Sequence, residues 1–343
     1  MVAITSGKIL VTGGAGYIGA WVIKSAIDRG YIVVAAVRND DQGDEIVNSF
    51  PEYKGKVSYT LVTDITKEGA YDEAVKDVDA VMHVASPVVW KWEDPSEIIG
   101  PAVKGTLGIL NSAQKFGTNV KRVIFTSSAV AIHNYVSAEP GQQFDETNWN
   151  DISPAHVERD GKNSNPWEVY NASKTIAEKS AWTWVKETKP KFDVTAVLPV
   201  FCFGPHIHNA KKRLGSTPAI LLSTLPAGDT SGKWTGDVVD VRDIALIHIL
   251  SLEVPEAGGE RIAGSETIFA WQDIYDVLND AGYPNIPGKD TKGAGLNKAT
   301  TRVSNAKSLK LFKGFQYRSF NEYIKEMGAT LHKDGFFTAP PTA

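Results

Sequence analysis

A single cysteine, Cys202, rules out an intrachain disulfide. It suits a reducing compartment, and a cytoplasmic location is expected. Within Val200-Phe201-Cys202-Phe203 it reads as a small buried apolar side chain. No apolar run approaches the ~20 residues that cross a bilayer, so no membrane partner is expected. The first strand candidate begins near Lys8, which leaves no room ahead of it for a charged and then apolar leader. Basic residues are outnumbered, 36 to 40, for a net charge of −4, so a nucleic-acid partner has no electrostatic support. Internal repeats and low-complexity tracts are absent. Of metal-ligand patterns there is only His206-x-His208, with no third ligand at suitable spacing, so a loop and no metal are expected.

What is present is alternation. Short β-rich runs at Lys8–Val11, Ile32–Val37, Val57–Leu61, Ala80–His83, Arg122–Thr126 and Val194–Pro199 are separated by helical patterns. Trp21, Val22, Ala26 and Ile27 recur at helical spacing, and Gly30 stands where that helix would stop. Near-continuous apolar strands are those covered on both faces. The expectation is an α/β chain with a Rossmann-like, doubly wound parallel sheet and a smaller C-terminal substrate-binding lobe. The boundaries expected are 1–199 with 236–265 for the first unit, and 200–235 with 266–343 for the second. Trp271, Ile274, Tyr275, Val277 and Leu278 give the second its own helical core.

Directly after the first strand stands Thr12-Gly13-Gly14-Ala15-Gly16-Tyr17-Ile18-Gly19. Glycines that close a strand and open a helix let backbone N–H groups reach a diphosphate, whose charge is favoured at the helix N-terminus. The spacing is G-x-x-G-x-x-G, an approximation to the commoner dinucleotide fingerprint. At the end of the second strand an acid would select NAD; here Val37 is followed by Arg38, whose guanidinium can clamp a 2′-phosphate. NADPH/NADP+ is therefore the expected cofactor, although Asp40 and Asp41 stand close by. Asp64 is placed either to accept from the adenine amino group or to cap a helix. Val84, Ala85 and Ser86 follow the fourth strand and run beside the cofactor.

Tyr170 and Lys174 in Tyr170-Asn171-Ala172-Ser173-Lys174 share one helix face. An ammonium near a phenol favours the phenolate, which brings a tyrosine toward acid–base work near neutrality. Phe125-Thr126-Ser127-Ser128 ends the fifth strand, and Ser128 is favoured over Ser127 to hydrogen-bond a substrate carbonyl oxygen. The order is what speaks: glycine loop, strand-end serine, then a Tyr–Lys helix ahead of the sixth strand.

With these motifs in place, the chain resembles the extended short-chain dehydrogenase/reductases. More narrowly, it is similar to their dihydroflavonol-reductase-like branch, which holds the fungal NADPH-dependent methylglyoxal/isovaleraldehyde reductases and related carbonyl reductases. Further matching stretches are His83-Val84-Ala85-Ser86-Pro87, Ala196-Val197-Leu198-Pro199-Val200, Phe203-Gly204-Pro205 and Val239-Asp240-Val241-Arg242-Asp243. The resemblance implies Ser128, Tyr170 and Lys174 as the catalytic set. It implies cofactor contacts from Gly13, Gly16, Tyr17, Ile18, Arg38, Asp64, Ile65, Ala85, Ser86, Pro199 and Val200, with Tyr170 and Lys174 also touching the cofactor. Two departures stand out. The helix after the fourth strand has Ala102 where extended members often carry an Asn, and Gln42 stands where relatives often have a second basic residue.

Pocket candidates by position are Pro87, Val88, Trp90, His133, Trp167 and Phe203. An apolar, aromatic pocket suits small aldehydes, ketones and ketoesters, with Trp167 expected to shape facial selectivity. The expected function is NADPH-dependent reduction of such carbonyls to chiral alcohols by a monomer or homodimer. The alternatives are a nucleotide-sugar epimerase or dehydratase, and a non-catalytic NADP sensor.

Overall fold

The computed structural model describes residues 3–86, 92–135, 137–139, 141–208, 214, 216–225, 235–294 and 302–337. The strands are β1 (Lys8–Thr12), β2 (Ile32–Val37), β3 (Val57–Leu61), β4 (Ala80–His83), β5 (Arg122–Thr126), β6 (Gln143–Phe144), β7 (Asp193–Pro199), β8 (Phe201–Phe203), β9 (Thr235–Asp240), β10 (Arg261–Gly264), β11 (Thr267–Ala270) and β12 (Arg302–Val303). The helices are α1 (Tyr17–Asp28), α2 (Asp40–Asn48), α3 (Ser96–Phe116), α4 (Ile152–Asp160), α5 (Pro166–Thr188), α6 (Ser216–Thr224), α7 (Val241–Glu253), α8 (Trp271–Asp280), α9 (Ala306–Leu311) and α10 (Phe320–Lys333).

Seven strands form one parallel sheet in the order β10-β7-β5-β4-β1-β2-β3. The expected Rossmann-like sheet is therefore present. Its central strands are apolar on both faces; Ile9, Leu10, Val11, Val81, Met82, Val123 and Ile124 are all fully buried. Strand β3 is the exception. It lies at the sheet edge and leaves Leu61 exposed. The chain reverses direction of growth between β3 and β4, and the register there aligns Thr12 with both Ala36 and His83. That switch point is where open α/β sheets bind their ligands.

Helix pairs α1–α7 and α3–α5 flank the sheet. Arg122 shows how the sheet is tied to them. Its fully buried guanidinium donates to the carbonyls of Ser251, Val254 and Pro255 at 2.7, 2.8 and 3.1 Å and to Asp193 at 2.9 Å. A cation thus satisfies the orphan carbonyls at the C-terminus of α7.

Past β7 a second core forms. Phe203 and Trp271 both meet Phe269 edge to face, with ring centroids 5.6 and 5.5 Å apart. Tyr275 and Leu278 of α8 pack with Tyr323, Met327 and Leu331 of α10. A small sheet, β11-β9-β8, joins this core to the end of β7.

Candidate active site

Strand β1 ends at Thr12, and the chain turns over Gly13 at φ +66°, a left-handed conformation that glycine adopts freely. A Cβ on Gly13 would sit 2.8 Å from the Ala85 backbone nitrogen, so the loops after β1 and β4 touch without side chains between them. Gly16 caps α1 with no side-chain hydrogen bond and no acid in the first turn. The Gly16 N–H donates to the Gly13 carbonyl at 2.9 Å, and with no side chain capping α1 its first-turn N–H groups suit an anion. Thr12 braces the contact. Its Oγ1 accepts from the Ala85 N–H at 3.1 Å, leaving its own proton for Nδ1 of His83 at 2.9 Å. Burial pushes His83 down to about 3, so it stays a neutral acceptor. Tyr17 donates its hydroxyl to the Gly204 carbonyl at 2.6 Å, linking α1 to the turn after β8.

Beside the loop stands Arg38, exposed at the end of β2. Its backbone N–H donates to Gln42 Oε1 at 3.2 Å, while its guanidinium has no bond to another described residue. Of the two acids close by in sequence, Asp40 accepts from the Tyr59 hydroxyl at 3.1 Å, a proton that Asp44 shares at 3.3 Å. Asp64 closes a turn after β3, and no helix lies between β3 and β4 for it to cap. Its Oδ1 accepts from the Thr66 N–H at 2.9 Å and hydroxyl at 2.7 Å, bonds that hold the carboxyl below its usual range.

One cleft of about 620 Å³ runs from Arg38 to the end of β7. Gly13, Gly16, Tyr17, Ile18, Arg38, Ile65, Ala85, Ser86, Ser128, Tyr170, Lys174, Pro199 and Val200 all line it. Of the expected cofactor contacts only Asp64 is not among its walls.

The chemistry-bearing end is built by α5 and the turn after β5. Asn165 caps α5 by accepting from the Trp167 N–H at 2.9 Å, and Pro166 fills the first helical position. That start sets Tyr170 and Lys174 one turn apart. Ser128 opens a short 3₁₀ turn, accepting from the Val130 N–H at 3.3 Å. Tyr170 is half-buried as a residue, but its hydroxyl is enclosed. This enclosure pushes the phenol up to about 12, against the downward pull of its hydrogen bond with Ser128. The sequence suggested that Lys174 would lower the phenol. Instead its ammonium donates to Ser86 Oγ at 3.0 Å, and burial sets the phenol. Tyr170 is thus a protonated acid at neutral pH. Burial also brings Lys174 down to about 8.

Ser127, the rival for the serine role, is committed elsewhere: it donates to Glu178 Oε2 at 2.5 Å. Ser128→Ala is expected to lower kcat about 100-fold with little change in thermal midpoint, measured by steady-state kinetics and a melt. Ser127→Ala should cost far less turnover.

The pocket candidates are scattered. His133 is buried against Phe144, stacked at 4.3 Å and 7°, with Tyr135 on another side at 4.1 Å. Both of its ring nitrogens lack a hydrogen-bond partner among the described residues, and burial lowers it to about 4. Phe203 belongs to the second core. Trp167 is 41% exposed at the start of α5. None of the three lines the cleft. Pro87, Val88 and Trp90 lie outside the described residues. Past Tyr170 the cleft walls include Cys202, His208, Leu214, Thr217 and Ala219. Sequence gave no signal for these, because they converge from β8, its following loop and α6. His206 is structural: its Nε2 meets Asp334 at 2.8 Å and its Nδ1 meets Thr330 at 3.2 Å. Among the described residues no cluster of metal-ligating side chains forms, and no helix is long and apolar enough to cross a membrane.

The NAD dependent epimerase/dehydratase family profile matches residues 9–263. An NADPH-dependent methylglyoxal reductase of Saccharomyces cerevisiae is 33% identical over 344 residues, covering 95% of this chain and 98% of that protein. A ketoreductase of Aspergillus niger is 33% identical over 340 residues, covering 92% and 95%. In shape, the chain superposes on yeast methylglyoxal/isovaleraldehyde reductase complexed with NADPH at a TM-score of 0.86, with 30% identity, covering 96% of this chain and 99% of that one.

Proposed function

The chain belongs to the NAD dependent epimerase/dehydratase family, and on that premise we propose that it reduces small aldehydes, ketones or ketoesters to alcohols with NADPH. One observation carries the reading: a protonated Tyr170, hydrogen-bonded to Ser128, stands in the same cleft as a bare glycine turn and an Arg38 guanidinium with no bond to another described residue. The glycine turn and the uncapped start of α1 suit the diphosphate, and Arg38 suits a 2′-phosphate. When bound, NADPH supplies the hydride that a carbonyl carbon takes up. Ser128 donates a hydrogen bond to the substrate oxygen and holds it against Tyr170. Tyr170 gives that oxygen its proton as negative charge develops there. Lys174 holds Ser86 and is placed to meet the cofactor ribose. The absence of an acid at Val37 weighs against the epimerases that use NAD. A single buried thiol suits the cytoplasm, and the chain acts there as a monomer or homodimer.

Loss of reduced-nicotinamide absorbance, followed across a panel of aldehydes, ketones and ketoesters with chiral analysis of products, tests the reading. Turnover on several of them supports it, and no turnover on any removes it. Arg38→Ala should weaken NADPH binding by about 10- to 100-fold, the value of one or two charge-assisted hydrogen bonds, and leave NADH binding nearly unchanged. Equal losses for the two cofactors would take the 2′-phosphate role away from Arg38.

A further inference from the structure

Behind the catalytic helix face lies a carboxylate for which the reaction scheme has no use. Glu178 is 1% exposed and stands one turn beyond Lys174 on α5. Its oxygens accept from Ser127 Oγ at 2.5 Å, Trp182 Nε1 at 3.1 Å and Arg261 Nε at 2.6 Å. A buried ion pair is a poor stabiliser against an apolar pair of the same size, so stability alone does not account for it. Nor does Arg261 belong to Glu178 alone. It also donates to the carbonyls of Glu146 and Asn148 at 2.6 and 2.7 Å, and its guanidinium stacks on Trp149 at 3.7 Å. Glu178 and Lys174 both wall a small space of about 10 Å³, about the room of one water, together with Ser86, Thr106, Ser127 and His83.

We propose that Glu178 is a positioning residue for the carbonyl reduction: its carboxylate anchors Ser127 next to Ser128 and keeps the Lys174 ammonium charged inside the protein. This rests on the reductase reading. The groups facing Lys174 are few. Tyr170 and Glu178 share its helix, neutral His83 faces it from β4, and Arg261 of β10 stands behind Glu178; α3 brings only Ala102 and Thr106 to this space. Burial lowers the ammonium toward about 8, and Glu178 is the charge that opposes the fall. Activity that needs the ammonium is present below that pH and lost as pH rises through it. Removing the carboxylate's charge moves that loss toward acid.

The test is the pH profile of kcat and KM for the wild type, Glu178→Gln and Glu178→Asp. The expected result is an alkaline loss near pH 8 in the wild type, displaced by at least about half a pH unit toward acid in Glu178→Gln. It should return to its original place in Glu178→Asp, with KM for the carbonyl little altered throughout. A Glu178→Gln enzyme that loses amplitude while its profile stays in place overturns the proposal, because a purely structural role does that. Should Glu178→Gln not fold, Lys174→Arg serves, since its group does not titrate in this range: disappearance of the alkaline loss supports the proposal, and its persistence overturns it. If the wild type turns over no carbonyl, the reductase reading fails by itself, and the same displacement is then read in the pH dependence of NADPH binding by fluorescence.

Discussion

Tyr170→Phe is expected to bind NADPH as the wild type does and to lose about 10³-fold or more in kcat. The substitution removes one oxygen. The ring, the helix turn and the wall of the cleft remain, so binding has little reason to change. What goes is, among the described residues of the cleft, the protonated group whose hydroxyl stands beside Ser128 and is acidic enough to complete the alcohol. Ser128 cannot replace it, because an aliphatic hydroxyl is far weaker as an acid. Lys174 cannot either, because its ammonium is held by Ser86. A phenol pushed up to about 12 also fixes the sign of the pH dependence. Tyr170 stays protonated across the physiological range, so reduction should show no alkaline loss from this group below that value. Oxidation of an alcohol, which needs the phenolate, should gain rate as pH rises. Cofactor fluorescence titration and steady-state kinetics on the two enzymes check the claim. A Phe variant within tenfold of wild-type kcat would leave Tyr170 without its role.

The core of this arrangement could be read from the chain because it depends on neighbours in sequence. Four strand candidates, Ile32–Val37, Val57–Leu61, Ala80–His83 and Arg122–Thr126, match the observed bounds, and two others fall one residue short. Apart from Val57–Leu61 at the sheet edge, each has a mostly apolar centre bounded by turn residues, and such a run has few other places to go than the middle of a parallel sheet. The glycine loop, Arg38, Ser128 and the Tyr170–Lys174 pair are local motifs tied to strand ends, so finding the strands placed them in one cleft. The seventh strand, β10, was not among the strand candidates. It is only Arg261-Ile262-Ala263-Gly264, and its buried arginine hides the apolar pattern until Glu178, 83 residues away, is seen to neutralise it. The substrate end was illegible for a similar reason. His133, Trp167 and Phe203 are aromatic and close in sequence to the chemistry, but aromatic rings serve packing as readily as binding. Here Phe144 and Phe269 claim two of them. Which residues wall the cleft beyond Tyr170 is decided by where β8 and α6 cross, and no periodicity records that.

Gly19→Ala is expected to raise the Kd for NADPH at least about 100-fold, or ~2.7 kcal/mol, and to lower stability by about 1 to 3 kcal/mol. The direction is the reverse of the usual one. Gly19 lies inside α1, and glycine in a helix interior is ordinarily about 0.5–1 kcal/mol worse than alanine. Space decides otherwise. A Cβ there would stand 2.1 Å from the Gly13 carbonyl oxygen, 2.9 Å from its carbon and 3.0 Å from the Gly14 Cα. All three are backbone atoms, which cannot rotate aside as a side chain can. Relief requires Gly13 and Gly14 to move outward. Gly13 is also the residue that meets the Ala85 backbone at the floor of the cleft, so the loop cannot give way without disturbing the surface that receives the diphosphate. Gly108→Ala is the control. It lies within α3, where a Cβ would meet only the Ile65 carbonyl oxygen at an ordinary 3.8 Å, and it should gain stability and leave binding alone. Thermal melts with and without NADPH read both quantities for both variants. If Gly19→Ala gains stability as Gly108→Ala does, and binds NADPH as before, the close packing of α1 on the glycine turn is not what shapes the cofactor site.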